Sequence, residues 1–147
     1  MRRLNVFLVA LMVSMGALYA DNDRIVKDIN ELPEQSRSFL SSYYKNIPVS
    51  HIRIEKNLLF VESYDVILTD GTKIEFQRSG EWKEVKGTPQ SIPAEIVPAY
   101  IQSYVRDHFA GSEIYCIDKD SDDIEVDLTN GIELRFDLKG NLLEIDR

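Results

Sequence analysis

One stretch of this chain occurs twice, and that duplication limits what the chain can fold into. Residues 64–85 read YDVILTDGTKIEFQRSGEWKEV, and residues 124–145 read IEVDLTNGIELRFDLKGNLLEI. Laid over one another without a gap, they share Val66/Val126, Leu68/Leu128, Thr69/Thr129, Gly71/Gly131, Phe76/Phe136, Gly80/Gly140 and Glu84/Glu144. Self-similarity at a fixed spacing points to one supersecondary unit used twice. Each copy alternates apolar and polar residues with the strand period, as Ile124, Val126 and Leu128 do against Glu125, Asp127 and Thr129. Asp70-Gly71 and Asn130-Gly131 mark a first turn, and Ser79-Gly80 and Lys139-Gly140 a second. Each copy is therefore expected to be a three-stranded meander.

Parity fixes the first turn. A two-residue loop at Asn130-Gly131 would set Leu128 opposite Glu133 and Val126 opposite Arg135, with charges on the core face. A three-residue loop sets Leu128 opposite Ile132, Val126 opposite Leu134 and Ile124 opposite Phe136, so every pair is apolar. That choice predicts a type I turn with Gly131 in the left-handed region and a bulge. The same register pairs Val66 with Ile74 and Tyr64 with Phe76. For the second turn, a two-residue loop sets Ile74 opposite Val85, Leu134 opposite Ile145 and Phe136 opposite Leu143, with Arg135 opposite Glu144 on the other face.

Around the meanders, the order of elements repeats as well. Leu32-Pro33 opens a helix with Phe39, Leu40, Tyr43 and Tyr44 as its apolar stripe. Ile92-Pro93 opens a second, in which Ile96, Val97, Tyr100, Ile101, Tyr104, Val105 and Phe109 are spaced for a buried face. Pro98 falls early in it and should kink it or shift its start. Residues 51–56 and 114–117 read as the strands that follow the helices, and residues 24–30 as an edge strand. The apolar run Leu58, Leu59, Phe60, Val61 either extends the next strand or forms a projecting hairpin. The expected fold is α+β: two tandem helix-plus-antiparallel-meander repeats, residues 32–87 and 92–147, giving one sheet with two helices packed on one face.

Residues 1–20 read as a cleaved secretory signal. Arg2 and Arg3 precede an apolar run, Ala20 is a suitable residue before the cut, and Asp21 follows at once. A signal anchor is the alternative, and no Cys lies near the cut to carry a lipid. The mature chain, residues 21–147, is one domain's length. Its net charge follows from the −8 of the whole chain, since the leader holds two Arg and no acids: −10. That disfavours nucleic acid and anionic membrane surfaces; it suits a basic protein surface, although most acidic secreted domains are acidic only for solubility.

The order Leu/Ile-Pro helix, strand, V-x-L-T-[DN]-G hairpin, buried Phe, then S/K-G-x-[WL], carried here by residues 32–147, resembles the PepSY-like family, whose members are described as similar to the beta-lactamase inhibitor protein. The resemblance implies paired helix-plus-sheet repeats with both helices on one face. It also implies that a partner enzyme would be met by the open face of the sheet and its loops. No functional residue carries over by motif.

Little in the sequence offers catalysis. No Ser, His and Asp grouping and no glycine-rich phosphate loop is visible. His51 and His108 with the lone Cys116 do not make a zinc set. Residues 118–125 (DKDSDDIE) resemble the start of a calcium loop, but Asp123 and Thr129 stand where its Gly and closing Glu belong, so a solvated hairpin loop is expected. Cys116, in strand parity with Ile114, is expected to point inward as a small buried residue. No cofactor or metal is expected. Parity places Arg53, Ile67, Trp82, Tyr115, Ile117 and Leu142 on the open face, with Trp82, Tyr115, Ile67 and Leu142 as the candidate partner-binding residues. With the leader, these readings imply a periplasmic or secreted, non-catalytic protein-binding module, an inhibitor of an envelope enzyme being one form of it. A small-ligand or calcium-binding module is the alternative.

Overall fold

The computed structural model describes residues 22–87 and 91–147; residues 1–20, read from sequence as a cleaved signal, lie outside the described residues. Among these, nine strands form one antiparallel sheet in chain order: β1 (Arg24–Val26), β2 (Val49–Lys56), β3 (Val61–Leu68), β4 (Lys73–Gln77), β5 (Trp82–Lys86), β6 (Ile114–Lys119), β7 (Asp123–Leu128), β8 (Glu133–Asp137) and β9 (Leu142–Asp146). Two helices, α1 (Glu34–Tyr43) and α2 (Ala99–His108), pack on one face. The fold is α+β and mostly sheet. No helix among the described residues is long and apolar enough to cross a membrane.

The first turn of each meander has the register that parity demands. Val66 pairs with Ile74, Tyr64 with Phe76, Val126 with Leu134 and Ile124 with Phe136. Leu128 N donates to Ile132 O at 2.8 Å, and Gly131 sits at φ 84°, in the left-handed region that glycine tolerates. The paired apolar residues then form the core: Ile52, Val66, Ile74, Phe76, Val85, Val126, Leu128 and Leu134 are fully or almost fully buried.

The second turn differs from the expected two-residue loop. Gln77 N donates to Glu81 O at 2.8 Å, and Asp137 N to Asn141 O at 2.9 Å, so the loop again has three residues. A bulge then restores the register: Glu75 lies opposite Glu84, but Phe76 lies opposite Trp82, and Phe136 opposite Leu142 instead of Leu143. The extra residues are Lys83 and Leu143. Far from the turn, both solutions give Ile74–Val85 and Leu134–Ile145, which is why the core pattern could not separate them.

The helices also sit slightly otherwise than expected. Pro33 caps α1, and Pro98, not Pro93, caps α2. Residues after Pro93 form a short 3-10 turn, Ala94–Ile96, which places Ile96 and Val97 in the core ahead of α2. Both halves thus run 3-10 turn, apolar residue, Pro, helix, since Ile29–Glu31 precedes Leu32-Pro33 in the same way. The strand expected to start at His51 begins at Val49. Ile29, assigned to the first strand from sequence, lies in the 3-10 turn.

The helices are fastened at matching places. Phe39 on α1 meets Phe76 edge-on at 5.6 Å between ring centroids, and Tyr104 on α2 meets Phe136 at 5.4 Å. The N-terminus of α1 also rests on the β4–β5 turn, where buried Ser36 donates its hydroxyl to Gly80 O at 3.0 Å.

Candidate functional site

The face of the sheet away from the helices is uncovered among the described residues, and its chemistry is unusual. The strand registers align one cross-strand row over the whole sheet. Arg53 stands opposite Asp65, Asp65 opposite Glu75, and Glu75 opposite Glu84. Glu84 then stands opposite Asp118, Asp118 opposite Glu125, Glu125 opposite Arg135, and Arg135 opposite Glu144. Five successive carboxylates, on β3 to β7, are therefore direct neighbours, with an arginine at each end. Like charges directly opposite each other destabilise a sheet. Lysines flank the row without entering it: Lys73 Nζ is 3.7 Å from Asp65, and Lys83, lifted by its bulge, is 3.8 Å from Asp120. Arg135 forms the expected ion pair with Glu144.

The carboxyl groups feel this arrangement. Partial burial raises the pKa of Asp65, Glu75 and Asp118, opposed by Lys73 for the first and by Lys83 for the other two. Burial and the neighbouring carboxylate of Glu133, which shares a hydrogen bond with it, push Glu125 up to about 7. The second row explains that contact. It runs His51, Ile67, Lys73, Lys86, Cys116, Asp127, Glu133, Asp146. Carboxylate oxygens of Glu125, Asp127 and Glu133 all lie within 4.8 Å of one another, a grouping that could hold a metal ion. The sequence reading missed it, although its own register already set Asp127 opposite Glu133.

A raised carboxyl pKa has a definite sign for stability. Between its ordinary value of 4.5 and about 7, folded Glu125 holds a proton that the unfolded chain has released. Stability therefore falls as pH rises through that window. Glu125→Gln should flatten this fall, read as the urea midpoint at pH 5 and pH 8. An undiminished difference in the variant would show that the proton resides elsewhere.

The candidate partner-binding residues divide. Ile67 remains on the open face, half-buried between His51 and Lys73. Tyr115 occupies a bulge between Ile114 and Cys116, and its hydroxyl bonds to Asp127 on the open face. Trp82 and Leu142 do not lie there. The bulges at Lys83 and Leu143 turn them to the helix face, opposite Phe76 and Phe136, where they pack against the core. The Trp82 ring is 6.2 Å from Phe39 and carries the Lys119 ammonium at 4.5 Å. The Tyr115 bulge likewise exchanges its neighbours. Ile117, expected on the open face, is fully buried opposite Val126, and Cys116, expected inward, faces Asp127 instead. Cys116 is nonetheless buried, its Sγ 3.7 Å from Glu84 Oε1, and burial among these acids pushes its thiol pKa up. A thiol held protonated in this way is unreactive.

Neither histidine joins a ligand set among the described residues. His108 stacks on Tyr104 at 4.1 Å, and His51 shares a 3.2 Å hydrogen bond with Ser50. The 118–125 segment is a hairpin, closed by Asp120 N donating to Asp123 O at 3.0 Å.

A family model described as "Putative beta-lactamase-inhibitor-like, PepSY-like" matches residues 62–144. Three solved structures share the fold, each with a TM-score of 0.80. A "putative calcium-regulated periplasmic protein" of Bacteroides thetaiotaomicron is 36% identical, over 85% of this chain and 97% of its own. A "putative periplasmic protein" of Bacteroides vulgatus is 34% identical, over 87% and 99%. Another from the same species is 33% identical, over 85% and 99%. No curated protein matches.

Proposed function

The chain belongs to the PepSY-like, beta-lactamase-inhibitor-like family, and on that premise we propose that it is a non-catalytic protein-binding module, periplasmic or secreted, that docks its partner on the open face of its sheet. Residues 1–20 are read as its cleaved signal and the two halves as a tandem repeat. The row Asp65, Glu75, Glu84, Asp118, Glu125 carries this reading. A sheet that only had to fold would alternate charges along such a row. Natural proteins break such local rules chiefly at functional or strained sites. A partner bearing Lys or Arg relieves the repulsion on docking, so the partner face is basic. Ile67 and Tyr115 supply apolar contact beside the acids. Inhibition of an envelope enzyme is the form of binding that the family description favours.

The test is capture from envelope extract by the mature protein and by Glu75→Gln/Glu84→Gln. The expected partner binds more weakly at high salt and is lost from the variant. Identical capture by both would contradict the reading.

A second reading has its own observation. The carboxylates of Glu125, Asp127 and Glu133 converge, and the similar protein from B. thetaiotaomicron is described as calcium-regulated. On this reading calcium binds at those three residues, not in the 118–125 loop. It requires a rise in melting temperature with millimolar calcium that Asp127→Asn abolishes.

A further inference from the structure

The β2–β3 hairpin ends in an apolar tip that the fold does not need. Leu58 is 82% and Leu59 88% exposed, and Phe60 is 43% exposed. The corresponding connection in the second half, between β6 and β7, is made of Asp120, Ser121 and Asp122. The tip at the equivalent place is thus wholly polar. The first hairpin is also longer, since β2 and β3 have eight residues each and β6 and β7 six. Its tip is held in one shape. Asn57 Oδ1 accepts from Leu59 N at 2.8 Å and from Phe60 N at 2.9 Å. Asn57 N donates to Phe60 O at 3.1 Å, and Asn57 Nδ2 to Glu62 Oε1 at 3.0 Å. The Arg78 guanidinium covers the Phe60 ring at 4.7 Å. Two leucines presented to water on a fixed turn are arranged as a preorganised contact, because the ordering cost of binding is already met.

We propose that Leu58 and Leu59 insert into an apolar socket on a protein partner whose surface beside that socket is basic. Continuity with the acidic face sets the second half of this statement. Glu62, Ser63, Glu75, Gln77, Arg78 and Lys83 line a shallow groove that runs from the base of the hairpin to the carboxylate row. Whatever takes the leucines must also meet that row. A lipid surface fits less well, because anionic headgroups would face the same acids on a chain of net charge −8. The tip lies just before Glu62, where the family match begins.

This inference rests on the docking reading above, and one experiment separates the two. The protein captured through the open face is identified, purified and titrated calorimetrically with wild type, Leu58→Ser/Leu59→Ser and Glu75→Gln/Glu84→Gln. The leucine variant should lose about tenfold or more in affinity, as expected for an anchor, while keeping the wild-type melting temperature and salt dependence. The acid variant should lose affinity and salt dependence together. Wild-type affinity in the leucine variant, with a loss in the acid variant, overturns the socket and leaves the docking face standing. No loss in either, or no partner recovered, overturns both. Sedimentation of wild type, but not of the leucine variant, with phosphatidylethanolamine/phosphatidylglycerol vesicles would overturn the protein partner in favour of lipid.

Discussion

Replacing Phe76 or Phe136 by alanine is expected to destabilise the protein by about 3–5 kcal/mol in each case. The two rings are 0% and 1% exposed and occupy the same place in the two meanders. Each is a main contact between its half of the sheet and its helix: Phe39 and Trp82 crowd Phe76, while Tyr100, Tyr104 and Leu142 crowd Phe136. A void at either site cannot close without moving a helix, so most of the transfer and cavity cost should be paid in full. Urea unfolding of both variants is the check. A loss below about 1 kcal/mol in one of them would mean that its helix is held by something else.

Gly80→Ala should be a more damaging single-methyl change than the same substitution at Gly111, Gly131 or Gly140. Gly80 lies at φ +92°, and an added Cβ would stand 2.7 Å from Pro33 Cβ, 3.1 Å from Ser36 Oγ and 3.3 Å from Gln35 Cβ. The left-handed backbone alone costs an alanine about 1–2 kcal/mol. Overpacking against the first turn of α1 adds about 1–3 kcal/mol. Gly131→Ala is the control: its φ is +84°, but nothing lies within 4 Å of the added carbon, so only the backbone cost applies. The two variants should differ by that overpacking in chemical denaturation. Equal losses would show that α1 is not seated on the β4–β5 turn.

Gly80 also shows where the sequence stops being legible. The first turns were readable because each wrong loop length puts a charge into the core, as Glu133 and Arg135 would have been. The second turns were not, because a shorter loop, or a longer loop with one bulged residue, satisfies Ile74–Val85 equally well. Bulges at Lys83, Leu143 and Tyr115 leave no mark in an apolar pattern, yet each reverses the face of the residues beyond it. That moved Trp82 and Leu142 under the helices and exchanged Cys116 with Ile117. The acidic row was half legible. Glu75 opposite Glu84 follows from meander register alone, whereas Glu84 opposite Asp118 joins the two halves and requires the β5–β6 pairing, which no local pattern encodes. Ser36 under Gly80 was invisible for the same reason, being a contact between a helix and a turn far along the chain. The apolar tip at Leu58 was visible as a run, but only its exposure separates a projecting hairpin from a strand extension.

Docking on the open face requires that the partner meet the sheet and not the helices. A photo-crosslinking residue placed at Tyr115, on the open face, and separately at Arg37, exposed on the outer side of α1, puts the two faces in direct competition. Irradiated in envelope extract, the Tyr115 form should give one discrete protein adduct and the Arg37 form none. An adduct from Arg37 alone would place the partner on the helices and contradict the docking face.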